Sequence, residues 1–219
     1  MQHRLNSLIT AWNRVELRLK EVEQISGEAR IPAINELRYA GRQLADALLK
    51  KMNDDEGGIE SHIIVAEQYI RNADHDVTDA TLDYVKRRIQ QSLRLYGRDT
   101  VAKKFPYVTE MEAHISDAEE AIRNSRLDRS KRDEIYTNVY NTHIQRLISL
   151  ILDFEKSEPD IVFEAERLRR RYRVSKVLNA IFFLFGLFWA VFTYVVDFDD
   201  AWVWLQSTSA AQFVSSAFH

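Results

Sequence analysis

Apolar residues return every three or four positions along most of this chain. Leu5, Leu8, Trp12, Val15, Leu19 and Val22 are spaced as a heptad seam and predict a helix over 2–26, with Trp12 on its buried side. Gly27 is its expected stop. A second helix is expected from about Pro32, a good first-turn residue, to Met52, with Ile34, Leu37, Gly41, Leu44, Leu48 and Met52 on its apolar face. The run NDDEGG, 53–58, reads as a loop. Helices over 59–74, 77–104, 108–126 and 129–156 follow, then one from about Pro159 onwards, with Pro106 and Pro159 marking breaks.

The pattern changes once. From Val177 to Val196 no charged residue occurs, and the only polar side chains are Asn179, Thr193 and Tyr194. The stretch holds five Phe and three Leu. Twenty residues of helix reach about 30 Å, the hydrocarbon thickness of a bilayer. A helix in a soluble core would keep a polar side. The expectation is a transmembrane helix; a signal peptide is excluded because it would stand at the other end of the chain. Arg167, Arg169, Arg170, Arg171, Arg173 and Lys176 precede it, and Asp197, Asp199 and Asp200 follow. Basic flanks stay cytoplasmic, so the expected topology is a single pass in an inner (plasma) membrane with the N-terminal region in the cytoplasm. The uncharged tail 201–218 is rich in Ser, Thr and Gln for a span, and its Trp202 and Trp204 suit the outer interface; re-entry of the tail into the membrane is the alternative.

Within the span, Asn179, Phe183, Gly186, Ala190 and Thr193 recur at spacings of four and three and so share one stripe. Small and polar residues on one face let helices meet in lipid. A homo-oligomer is therefore expected, with a pore along this seam as its most concrete mechanism. The domain plan is a cytosolic helical bundle over 1–158, a basic juxtamembrane helix over 159–176, the span over 177–196 and an external or interfacial tail over 197–219.

Two segments resemble each other at an offset of 52 residues, HIIVAEQYIRN from His62 and HISDAEEAIRN from His114. The match continues at Asp76/Asp128 and Tyr84/Tyr136, where both Asp residues suit helix N-caps. Two related hairpins, 59–104 and 108–156, are the expectation, with convergence of amphipathic composition as the alternative. The fold class is all-α: a bundle of about six helices followed by one C-terminal transmembrane helix.

Composition narrows the chemistry. The net charge of −3 gives no general basic excess for nucleic acid, and the absence of Cys removes disulfides, thiolate nucleophiles and Cys-based metal sites. No H-E-x-x-H, phosphate-binding glycine loop or G-x-S-x-G occurs. Asp74–His75–Asp76, with Asp79, has ligand-type residues but reads as a cap with a solvated His. His62 and His114 read as surface or capping residues at helix starts. No catalytic residue, metal site or cofactor is expected. Lys86, Arg87, Arg88, Arg94, Arg98, Lys103 and Lys104 form a candidate patch for nucleic acid or lipid headgroups. A solvated helix face is the plainer reading of that patch, and nucleic acid is not the favoured partner. The run 123–132 is a second basic stretch.

INELRYAGRQLADALL, Ile34 to Leu49, and AEQYIRNADHDVTDATLDYV, Ala66 to Val85, resemble HEPN-type helical domains over roughly 30–100. The resemblance implies a compact helical bundle of the kind used in bacterial immunity and toxin systems. Many such proteins are ribonucleases with an R-x4–6-H motif. This chain lacks it: after Arg38, Arg42 and Gln43 stand where the His is expected. The architecture is also similar in outline to small membrane-bound accessories of RNA-guided defence nucleases. The leading expectation is a membrane-anchored, non-enzymatic bacterial antiviral defence accessory or effector that self-assembles and permeabilises the membrane. The alternatives are a tethered HEPN-like ribonuclease or toxin, and a membrane-anchored adaptor for a protein partner.

Overall fold

A computed structural model describes residues 2–53, 55–195 and Val203. Asp197, Trp202, Trp204 and the rest of the tail lie outside the described residues, as does the fate of 201–218 beyond Val203. The helices are α1 (Gln2–Ser26), α2 (Ile31–Met52), α3 (Glu56–Tyr96), α4 (Arg98–Lys104), α5 (Val108–Ser125), α6 (Arg132–Val139) and α7 (Gln145–Val195). A 3-10 turn, Arg129–Lys131, leads into α6, and a π turn, Tyr140–Ile144, joins α6 to α7 without a break. No strand occurs among the described residues.

Local chemistry ends most helices where the sequence suggests. Gly27 (φ +68°) and Gly97 (φ +82°) adopt the left-handed region that glycine enters without a Cβ penalty, and their N–H groups bond the carbonyls of Glu23 and Leu93. Pro32 lies in the first turn of α2. The Asp55 carboxylate accepts from the Gly58 N–H at 3.0 Å, so Glu56, Gly57 and Gly58 open α3 instead of closing a loop.

Two expected breaks are absent. The region 74–77 is interior to α3, which runs for 41 residues, so 59–104 is not a hairpin. Asp128 does cap the turn before α6, accepting from the Ser130 N–H, but Asp76 caps nothing. Pro159 lies inside α7. It removes one helical hydrogen bond, yet Ile151 and Phe154 before it and Ile161 after it are fully buried. Packing on both sides holds the helix through the proline.

The chain divides into two compact units, Met1–Phe163 and Glu164–His219. The first unit holds two apolar cores threaded by α3. One gathers Leu8, Val15, Leu19 and Val22 of α1, Ala33, Leu37, Ala40 and Ala47 of α2, and Ile59 to Val77 of α3. The other gathers Leu82, Val85 and Ile89 of α3 with α4, α5, α6, the π turn and α7 as far as Ile161. The heptad seam of α1 faces inward from Leu8, while Leu5 is exposed. Trp12 is half-buried instead of enclosed, because it lies over Gly41: an added Cβ there would stand 3.3 Å from its Cη2. The buried stripe of α2 meets expectation in part: Leu37 is buried and Ile34 and Leu44 pack against the core, but the stripe otherwise follows Ala33, Ala40 and Ala47, and Leu48 and Met52 are exposed. Small side chains let α2 approach α3 closely, which turns the bulkier residues outward.

The second unit is described as the later part of α7. Every residue from Glu166 to Val191 is exposed.

Candidate functional site

Between the two cores lies a polar layer built on the middle of α3. Asp74, His75, Thr78 and Thr81 are buried there, together with Arg18 of α1. Arg18 Nη1 donates to Asp74 Oδ1 at 2.6 Å, and its guanidinium lies 3.4 Å above the Tyr140 ring. The Tyr140 hydroxyl donates to Glu21 at 3.0 Å. His75 stacks on Tyr136, with ring centres 4.0 Å apart, and its Nε2 meets Asp133 at 3.1 Å. The Tyr136 hydroxyl donates to the Asp79 carboxylate at 3.1 Å. Thr78 and Thr81 return their hydroxyls to the carbonyls of Asp74 and Val77.

Burial sets the charge states. It pushes the His75 imidazole below its ordinary value, with Arg132 pushing the same way. It pushes Asp79 upward, against the Tyr136 hydrogen bond that pulls it down. Tyr136 and Tyr140 are both held up, first by burial and then by the carboxylates of Asp79 and Glu21. The downward shift favours the neutral imidazole of His75, whose Nε2 lies 3.1 Å from Asp133. The residue is buried, with 6% exposure. The layer can lock α1, α3 and the α6–π segment in register. A π turn at this place presents Tyr140 to Arg18 while keeping Ile144 in the core, an offset a regular helix does not supply.

Sequence reasoning missed this layer by reading Asp74–His75–Asp76 as a solvated cap. The signal was present. Ile59, Ile63, Ala66, Ile70, Ala73 and Val77 keep helical spacing across the triplet, and no Gly or Pro occurs from 59 to 96. The two repeat histidines are also interior to helices. His62 Nδ1 contacts Gln43 Oε1 at 2.7 Å, and His114 Nδ1 lies 3.0 Å from His143 Nδ1. In that pair one ring must donate and the other accept; burial and the His114 ring both hold His143 below its ordinary value. Among the described residues no group of three or more His, Asp or Glu side chains is placed to hold a metal.

The basic patch is not one surface. Lys86 pairs with Glu119, Arg87 with Asp83, Arg88 with Glu158 and Arg98 with both oxygens of Glu112. Arg94 and Lys104 are exposed, as is Lys103. Lys86 and Arg87 share an open cleft of about 670 Å³ between α3 and α5 with Arg123 and Arg126 of the second basic stretch, but Asp79, Asp83 and Glu119 line it too. Its mixed charge selects for no polyanion. On α2, Arg38 hydrogen-bonds Asn35 and Arg42 hydrogen-bonds Asp46, both on the helix's own exposed side.

In the second unit, Asn179, Phe183, Gly186 and Ala190 lie on the exposed α7. Thr193 is helical, and its side chain lies outside the described residues. Nothing stands within 4 Å of where a Gly186 Cβ would be. Arg167, Arg169, Arg170, Arg171, Arg173 and Lys176 are all exposed. Arg167 lies 3.6 Å from Glu164 and Arg170 lies 4.0 Å from Glu166. One helix of the described residues is long and apolar enough to cross a membrane: its most apolar 18-residue window has mean hydropathy 1.9 and is 0% buried. The chain matches no family model, no curated protein and no solved structure.

Proposed function

We propose that this is a membrane-anchored, non-enzymatic helical protein whose bundle lies in the cytoplasm and whose chains associate through the span. One observation carries the reading. The apolar stretch of α7 is not covered by the described residues: Phe182 is 70% and Phe183 72% exposed, and Leu184, Phe185, Leu187 and Phe188 are exposed beside them. Fully burying one such side chain is worth about 1.5–3 kcal/mol, so this run in water would forfeit many times that. A bilayer supplies the missing apolar surroundings, and the cationic run beside the stretch sets its direction. The buried polar layer pairs its polar side chains with one another, Arg18 with Asp74 and Tyr136 with Asp79, as a structural lock does, which supports a non-enzymatic role. By the HEPN resemblance, the role is that of a bacterial antiviral defence accessory or effector acting on the inner membrane by permeabilising it.

Alkaline carbonate extraction and terminal reporters test the anchor. The protein stays in the membrane pellet, and a reporter at the N-terminus reads cytoplasmic. Release into the supernatant would overturn the reading. Purified protein in mild detergent is expected to run as an oligomer and to release dye from liposomes. A monomer without dye release favours the adaptor, and metal-independent RNA cleavage that is lost on changing Arg38 or Arg42 favours the tethered nuclease.

A further inference from the structure

Just before the apolar stretch, one face of α7 is concave. A shallow groove of about 470 Å³ is lined by Arg170, Arg171, Ser175 and Asn179, with Leu178 and Phe182 at its far end. These positions follow spacings of three and four, so they form one stripe. Val174, between the two arginines and Ser175 in sequence, lines the groove as well. Arg171 has no acidic residue three or four positions away on either side. Arg170 has only Glu166, at 4.0 Å.

We propose that this groove binds the headgroup of an anionic phospholipid. The inference rests on the membrane reading above and adds to it a lipid class and a site. Polarity changes along the groove in the order a phospholipid requires. The guanidinium groups of Arg170 and Arg171 meet the phosphate oxygens. The Ser175 hydroxyl and Asn179 amide lie at the level of the glycerol esters. Leu178 and Phe182 meet the first methylenes. From Arg170 to Phe182 the helix rises about 18 Å, enough for a headgroup and the upper part of an acyl chain. A second copy of the chain fits the same groove poorly. Parallel copies in one membrane would bring Arg170 and Arg171 against their own counterparts at equal depth, a like-charge contact that an intervening phosphate relieves. The same stripe continues into Asn179, Phe183, Gly186 and Ala190, so a bound lipid would sit at the cytoplasmic end of the proposed seam.

The test is native mass spectrometry of the full chain in mild detergent, titrated with phosphatidylglycerol or phosphatidylcholine of equal chain length. With two arginines near the surface, phosphatidylglycerol is expected to bind roughly tenfold more tightly or better. The double variant Arg170→Gln/Arg171→Gln should bring that preference below about twofold. The double variant Arg169→Gln/Lys176→Gln removes equal charge from the opposite side of the helix and should keep the preference. Equal loss in both variants would show general charge attraction and overturn the site. Glycerol phosphate is the third arm: if it displaces the lipid at equal concentration, the groove takes a free phosphate and the lipid assignment is wrong. Flotation with phosphatidylcholine vesicles separates the two levels. Wild type and both variants should float, because anchoring depends on 177–192. Failure of the wild type to float with any vesicle sinks the membrane reading, whereas flotation without headgroup preference sinks only the groove.

Discussion

Two stretches of α7 carry similar side chains and meet opposite surroundings. Leu147, Leu150, Ile151, Phe154 and Ile161 are fully buried in the first unit. They share one side of the helix, and Asp153 and Lys156 occupy the exposed side. From Ala180 to Phe192 the helix is apolar all round, and every residue from Val177 to Val191 is exposed. A one-sided stripe can be satisfied by neighbouring helices; an all-round apolar surface needs an apolar solvent. The same residue, Phe, is a core element at 154, edge-on to Phe105 at 5.3 Å between ring centres, and a lipid-facing one at 185 in the reading proposed above.

The sharpest test of that comparison is a pair of truncations. Phe154→Ala in the full chain should cost roughly 3–5 kcal/mol of unfolding free energy. Phe185→Ala should cost under about 0.5 kcal/mol in the same detergent. Equal costs would mean that 177–192 belongs to a packed core. Next is the polar layer against the surface pairs. Arg18→Ala leaves the buried Asp74 with only the longer pair to Arg14, at 3.6 Å, and its expected cost is about 3 kcal/mol by chemical denaturation. Arg87→Ala breaks an exposed pair with Asp83 and should cost less than about 1 kcal/mol. A third variant targets the span alone. Gly186→Arg places a charge in the middle of the apolar stretch, an insertion penalty of about 2.5–3.5 kcal/mol, and should shift protein out of the carbonate-resistant pellet. Leu152→Arg, on the exposed side of the buried stretch, should leave both the pellet fraction and the melting temperature unchanged.

The smallest expected effect is a pH dependence confined to the first unit. His75 titrates lower in the folded chain than its ordinary 6.5. The unfolded chain therefore takes up the proton first, and the His75 contribution is whole above about 6.5 and lost as pH falls toward the lower folded value. Asp76 and Asp79 are held above their ordinary 3.8 by burial, so their contribution has the opposite sign: it is present below about 3.8 and lost as pH rises through their folded values. Between these limits acid weakens the fold through His75 and strengthens it through the two carboxyls. The fall in melting temperature on acidification should be shallower in His75→Gln than in wild type, and steeper in Asp79→Asn. Parallel profiles in all three proteins would remove His75 and Asp79 from the balance.

Much of the architecture could be read from local chemistry. Helical class, the stops at Gly27 and Pro106, the first turn at Pro32 and the single long apolar stretch follow from residue type and spacing. These features depend on a few consecutive residues: a left-handed glycine, a missing N–H, a run without charge. The breaks at 75 and 159 were misread for the complementary reason. Asp76 is a good cap and Pro159 a good helix start in isolation, but each loses to core contacts on both sides of it, Ala73 with Val77 in one case and Phe154 with Ile161 in the other. The pairing of the basic patch was likewise beyond local chemistry: seven cations lie close in sequence, and Glu112, Glu119 and Glu158 arrive from other helices to pair with three of them.

The amino-acid order was enough to indicate an all-helical chain with one stretch long and apolar enough to cross a membrane, because backbone preference and hydropathy are local quantities. Whether Asp74–His75 is a cap or a buried lock, and whether Trp12 is enclosed or lies over Gly41, was set by which helices meet. Burial, and the charge states that follow from it, are properties of the space between segments, and no single segment carries them.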